Sequence, residues 1–445
     1  MTCCLPLLVA LAVPAADWPP EPDFTTKVDY HAWWEAQVRR GDPAEQNAYE
    51  LLRTVLPTLV DPRHPPSKVE FQGPRSSAAA GTEYAPAPWD PAQHPDWEQS
   101  YQRNKELLDT IQRAAPRPYL LVPLHARAPQ PRELRVIDEA IIPALSDLRA
   151  CAKGLSDAAW RAAGGKVDPA RFQALCQSGL QLAAQLEREP LILTRHFSAA
   201  MRAIVYQDLR FALHHGVFSP PDRAAVLTIL TDAEAGFPAL SPALVGEYAV
   251  HCDLLQFARL GTGEIVVEPE LKVLLARIRA GEIDAGQTLR ALHEYYERLI
   301  AAERVPYAPD TRRKLAALAE QTRKTNAYTA LVAVPFGRAF DVHFSTLADT
   351  RGTRLLYAAF VYRDEHGRWP LRLAELPPPH DEQALRDPFS GAPFVYQLVD
   401  GQPRLYSVAR NAKDDDGRHD PAWGGSDDQA RDTDFVFWPA SSPRP

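Results

Sequence analysis

Cysteine is scarce in this chain, with five in 445 residues, and they are unevenly placed. Cys3 and Cys4 fall within the first sixteen residues, and Cys151, Cys176 and Cys252 form an odd, widely spaced set, which excludes a disulfide framework. No CxxC pair and no Cys/His spacing suited to zinc occurs. The three later cysteines lie among apolar residues of helical pattern, where a thiol serves as a small buried hydrophobe. Basic runs are missing too. With a formal net charge of -8 the chain has no face to release counterions from a phosphate backbone, so nucleic acid is not an expected partner. After the first sixteen residues no apolar run approaches the roughly 20 residues that span a bilayer. The sequence also lacks a serine nucleophile elbow, a phosphate-binding loop, a dinucleotide fingerprint and the HExxH zinc motif.

What is present describes an ordinary globular protein with unusual punctuation. Hydrophobic residues make up 45% and charged residues 24%, whereas the 42 prolines exceed the usual share of about 5%. At about 100 to 200 residues per domain, the length predicts two or three units. Residues 1–16 are apolar, end in small residues and stop at Asp17-Trp18-Pro19-Pro20, the pattern of an export signal that is too short to span a membrane. It predicts a periplasmic or cell-surface protein with no membrane span after the signal is removed.

The punctuation divides the chain into four regions: the signal at 1–16, N-terminal helices with a Pro-rich loop at 17–130, a helical domain at 131–338, and an α/β domain at 339–445. In the second, Tyr30–Val38, Ala44–Leu56 and Pro95–Ala114 read as helices. The Pro-, Ser-, Ala- and Gly-rich stretch from Pro57 to Pro95 reads as a surface loop or disordered insert. In the third, Leu134, Ile137, Ile141, Leu145, Leu148, Ala152 and Leu155 recur at helical spacing, with Pro143 expected to kink or divide the helix. Asp168-Pro169 opens a helix that Pro190 ends, and Leu191–His215 should return antiparallel to it. Ser219-Pro220, Ser241-Pro242 and Glu268-Pro269 pair a cap with a first-turn proline, and Gly236, Gly261 and Gly281 mark helix ends. The fold class expected is mainly α, stacked helical hairpins that are solenoid-like or an irregular bundle, with a small C-terminal α/β domain.

The last region carries the most specific pattern. A helix from about Val342 to Glu365 breaks at His366-Gly367-Arg368-Trp369-Pro370, and Leu373–Leu376 then turns the chain toward Asp387-Pro-Phe-Ser-Gly-Ala-Pro-Phe-Val-Tyr396. Leu398-Val399 and Leu405–Val408 flank Asp400-Gly401, a hairpin signal. Asn411-Ala-Lys-Asp-Asp-Asp-Gly417 and a closing Asp432-Thr-Asp-Phe-Val-Phe-Trp438 complete the series. Six elements in this order over about a hundred residues resemble the C-terminal globular domain of type II secretion pseudopilins. That resemblance implies a calcium site in the Gly/Asp loop, a use of hard oxygen donors that aspartates suit. By position it implies Asp414, Asp416, Asp432 and Asp434 as ligands, with Asp415 in the same loop. Ala409 replaces the glycine that usually follows the Tyr-Ser-apolar strand. Upstream, Arg338, Asp341, His343 and Asp349 interrupt the segment where a pseudopilin has its apolar assembly helix, so incorporation into a filament is not expected.

The whole chain is also similar to a group of bacterial proteins of unassigned activity, in phrases such as Asn104-Lys-Glu-Leu-Leu108, Pro190-Leu-Ile-Leu193 and Leu355-Leu-Tyr-Ala358. These combine an exported or anchored N-terminus, helical hairpins and this tail. Catalytic candidates are sparse. His214-His215 reads as a helix-end cap, His251-Cys252-Asp253 spreads over different helix faces, and His293-Glu294 lacks a second histidine. Glu187, Glu189, Glu247 and the Asp364-Glu365 pair read as helical surface carboxylates. The expected function is a non-catalytic, exported scaffold or protein-interaction protein of the cell envelope. The alternative is a hydrolase acting on an envelope polymer in an interdomain cleft.

Overall fold

Prolines in the first turn, each behind a residue able to cap, open several of the long helices. Asp168 accepts from the Arg171 N–H at 3.0 Å ahead of Pro169, and Asp222 accepts from the Ser219 N–H at 3.0 Å behind Pro220 and Pro221. Asp284 accepts from the Gln287 N–H at 2.7 Å. Such caps satisfy amide donors that a helix start otherwise leaves orphaned. The computed structural model describes residues 18–56, 70–75, 86–121, 142–261, 268–376, 382–420 and 433–438. The expected signal, most of the Pro-rich stretch and Asp432 lie outside the described residues.

The helices are α1 (Tyr30–Arg39), α2 (Tyr49–Leu52), α3 (Pro95–Arg103), α4 (Lys105–Ala114), α5 (Ile142–Ala163), α6 (Pro169–Glu187) and α7 (Ile192–His214), followed by α8 (Pro220–Ala235), α9 (Ser241–Leu260), α10 (Pro269–Arg279), α11 (Ala285–Glu303), α12 (Thr311–Arg323), α13 (Ala327–Val332) and α14 (Gly337–His366). The chain is mainly helical, with a three-stranded antiparallel sheet near its C-terminus, in the order β1 (Val395–Val399), β2 (Gln402–Ser407), β3 (Phe435–Trp438). Among the described residues no helix is long and apolar enough to cross a membrane.

Several expectations are corrected by local chemistry. Ala44–Leu56 is not one helix. The Asn47 side chain instead bonds to Leu121 N, Leu121 O and Tyr49 N, joining an extended pair with Tyr119 and leaving a 3-10 turn and the short α2 on either side. Pro95–Ala114 breaks at Asn104, whose side chain donates to the carbonyls of Glu70 and Ser100. Pro143 lies in the first turn of α5, where a proline is tolerated, and Leu134 to Ile141 lie outside the described residues. The last long helix begins at Gly337, not near Val342, and ends where Gly367 turns left-handed at φ 68°.

α6 and α7 form the expected antiparallel pair, joined through Glu189 and Pro190, and α5 packs on both. α14 packs against α7, α8, α12, β2 and β3. The Asp400-Gly401 turn has φ of 52° and 74°, the two left-handed residues that a two-residue hairpin requires, and it sets Val399 opposite Gln402. A single apolar core runs through helices and sheet, from Tyr30 and Trp160 to Phe437.

Close approach of α14 to β3 depends on Gly352. A Cβ there would fall within the ring of Phe437, itself fully buried. Overpacking of this kind costs about 1 to 3 kcal/mol. Gly352→Ala should therefore lower the urea midpoint without changing its slope, and a variant of wild-type stability would show that the sheet can move off the helix.

Candidate functional site

The β2–β3 connection is bolted at its base. Asp387, buried, accepts from Ser407 Oγ at 2.8 Å and from the Val408 N–H at 3.0 Å through one oxygen, and from the Phe389 N–H through the other. Two residues on, Arg410 donates to buried Asp341 of α14 at 3.2 Å, which also holds Tyr307 and Arg312. Between them Ala409 takes φ 50°, a left-handed conformation that favours glycine.

From this base the acidic loop folds around Asp434. The Asp434 side chain is fully enclosed, and its Oδ2 accepts from the N–H groups of Asp415 at 3.0 Å and Gly417 at 2.8 Å. Its Oδ1 is buried with no hydrogen-bond partner. Asp414 Oδ1 accepts from Tyr406 Oη at 2.8 Å and from the Asp416 N–H at 2.9 Å, and the Asp416 carbonyl accepts from Arg404. Burial pushes the Asp434 carboxyl up to about 6 against the pull of its two amide partners, and the charges of Asp415 and Asp414 add to the rise. Burial also raises the Tyr406 phenol, reinforced by its bond to Asp414 and by the charges of Asp414, Asp434 and Asp416.

Of the four expected ligands, Asp414 is bonded to the Tyr406 phenol, and Asp434 and Asp416 act on it through charge. Asp414 and Asp416 are exposed, Asp434 is enclosed, and Asp432 lies outside the described residues. Among the described residues no three acidic, histidine or cysteine side chains are close enough together to share an ion. The donors are hard oxygens throughout, and among the described residues of the loop the orphaned Asp434 Oδ1 is the one buried acceptor left for a cation to satisfy.

A second polar region sits in the helical core, where sequence reasoning expected surface. Glu187 and Glu189 are 5% and 3% exposed. Glu187 takes Nε and Nη2 of buried Arg202, each at 2.7 Å, and Ser198 Oγ at 2.9 Å. Burial would raise its carboxyl, but Arg202 outweighs that and holds it below the usual carboxylate range. Glu303 accepts from the amides of Leu240 and Ser241, and Glu247 accepts from the Ile192 N–H at 3.0 Å. Burial raises both carboxyls. A charge on a helix shows in the sequence, but the helix that covers it does not, so Glu187 and Glu189 were not legible as core residues, and Glu247 and Glu303 are half-buried.

The histidine candidates are structural. His215 caps α7 and meets the Pro86 carbonyl at 3.1 Å, and His293 stacks on Trp18 at 4.3 Å. His251 meets Tyr328 Oη at 3.2 Å, and burial pushes its pKa down to about 4. Cys151, Cys176 and Cys252 are buried, and burial raises each thiol, which suits packing and not attack.

His251 generates a pH prediction. Its folded pKa lies below its unfolded one near 6.5, so the stability it contributes is fully present above pH 6.5 and is lost as pH falls toward 4. Between pH 7 and 4.5 this amounts to about 2 kcal/mol. His251→Gln should flatten that limb of a urea-measured stability profile, and parallel profiles for the two proteins would contradict the assignment. Comparison with protein-family models, with curated proteins and with solved structures finds no match for the chain.

Proposed function

We propose that this is an exported, non-catalytic scaffold or protein-interaction protein of the cell envelope. In this reading its helical body is an irregular bundle of hairpins, and its tail is a pseudopilin-like cap steadied by calcium. The observation that carries the ion is the enclosed Asp434 carboxylate, one oxygen tied to two loop amides and the other without a partner. A buried carboxylate oxygen left unsatisfied costs free energy that a cation would recover. Asp434 and Asp432 would hold the ion from the strand side, and Asp414 and Asp416 from the loop. The bundle reading rests on α14, which returns to α7 and α8 and so departs from neighbour-only stacking. The order of helix, left-handed Gly367, short turn, Asp387 turn, hairpin, acidic loop and closing strand supports the likeness of the cap.

The hydrolase reading has one observation in its favour: a pocket between α7 and α14 onto which Glu187, Arg195, His196 and His343 converge. The carboxylate there is already bonded to Arg202 and Ser198. Acid–base work needs a carboxyl within reach of substrate. Binding is therefore the reading we retain.

Calcium should raise the unfolding midpoint of the full chain relative to a chelated sample. A site near 0.1 mM contributes about 1.4 kcal/mol at 1 mM ion. The double variant Asp432→Ala with Asp434→Ala should lose the response. A wild type indifferent to calcium in both thermal unfolding and calorimetric titration would return the loop to a solvated acidic turn.

A further inference from the structure

The α7–α14 pocket holds a feature that the proposed function leaves unused. Arg195, in the first turn of α7, is 8% exposed and is among the residues that line the pocket. Of its five N–H donors, one is committed, Nη2 to the Ala239 carbonyl at 3.0 Å, and its buried Nε has no partner. The contrast with Arg202, two turns along the same helix, is direct. That guanidinium gives Nε and Nη2 to Glu187 and Nη1 to Tyr206. A buried guanidinium holding one hydrogen bond is costly unless something outside the chain accepts from it.

The surroundings narrow what that something is. Glu187 is neutralised by Arg202, and both oxygens of Glu303 are occupied by the amides of Leu240 and Ser241, so neither carboxylate closes on Arg195. Burial pushes Arg195 down to about 10 despite the attraction of Glu187 and Glu303, as expected of a cation short of counter-charge. His343, which also lines the pocket, is held to about 3 by burial and by the nearby Arg195 charge, so at neutral pH it is uncharged and leaves Arg195 as the cation a ligand would meet there. The pocket encloses about 320 Å³, open solvent included. Phe237, Pro238, Leu240, Ala339 and Val342 supply apolar walls.

We propose that this pocket binds a short aliphatic carboxylate, its acid group on Arg195 and its hydrocarbon part against the Phe237–Leu240 loop and α14. A carboxylate suits the planar fork of a guanidinium. The apolar walls favour a short chain over a hydroxylated sugar acid.

The test uses full-length protein at pH 7 and constant ionic strength, titrated with sodium acetate or butyrate against sodium chloride and sodium phosphate, with calorimetry and thermal unfolding as readouts. Saturable binding of the carboxylates, tighter for butyrate and absent for chloride, is expected. Arg195→Met should weaken it at least tenfold. Ala199→Leu, which narrows the pocket from its wall and leaves the arginine in place, should do the same and decides the matter if the first variant fails to fold. No saturable carboxylate binding by the wild type would overturn the proposal and assign the free donors to water, as would affinity unchanged in Ala199→Leu. Phosphate binding in place of carboxylate would overturn the assigned ligand class.

Discussion

The packing of α14 against α7 is the constraint on which the rest of the structure depends. A 30-residue helix packed against both helices and strands can be buried only if its polar residues find partners, and they do. Thr350 donates to Tyr206, Tyr357 donates to the Leu209 carbonyl, and Asp349 with Thr353 meets Arg210, all across the same seam. Arg354 reaches Glu234, and Asp364 takes Arg223 through two bonds of 2.7 Å, tying the helix to α8. Removing either member of such a pair strands a buried charge, at a cost of about 3 to 5 kcal/mol. The set therefore fixes the register of α14 more than it adds net stability. Small residues finish the fit, with Ala348 and Gly352 letting the neighbouring elements close in.

Because α14 is held this firmly, the acidic loop has a rigid base. Asp341 on α14 anchors Arg410, Asp387 anchors the end of β2, and together they aim the chain at Asp434. Beyond that base the loop is held less tightly, with Asp414 and Asp416 exposed and Ala409, Ala412 and Asp416 all left-handed. The enclosed Asp434 and the exposed Asp414 and Asp416 are the carboxylates on which the proposed cation site rests. A strong site would need more oxygens fixed in advance.

The same seam creates the α7–α14 pocket. Glu187, bonded to Arg202, and Ser198 line it together with His343 and Thr346 of α14. Residues that face one another across the seam are far apart in sequence. On a helical wheel each looks like an ordinary polar position, which is why Glu187 and Glu189 read as surface and Arg195 is indistinguishable from any exposed arginine. Local spacing reports which face a residue occupies, and burial depends on what arrives to cover that face.

Much of the secondary structure was determined by the sequence alone, because its determinants are short-ranged. Proline beside an Asp or Ser cap opens α6 and α8, whereas Ser241 lies inside α9 behind an uncapped Leu240; Gly367 closes α14, and Asp400-Gly401 turns the hairpin. Where a side chain from a distant segment competed with local propensity, as Asn47 did by bonding Leu121, the local reading failed. Tertiary structure alone decided that α14 would be shared between helical body and sheet, that Asp434 would be sealed in with one oxygen unpaired, and that Arg195 would be buried with most of its donors free. Those outcomes depend on the desolvation of charge, which is set by all the atoms nearby and by no single stretch of chain.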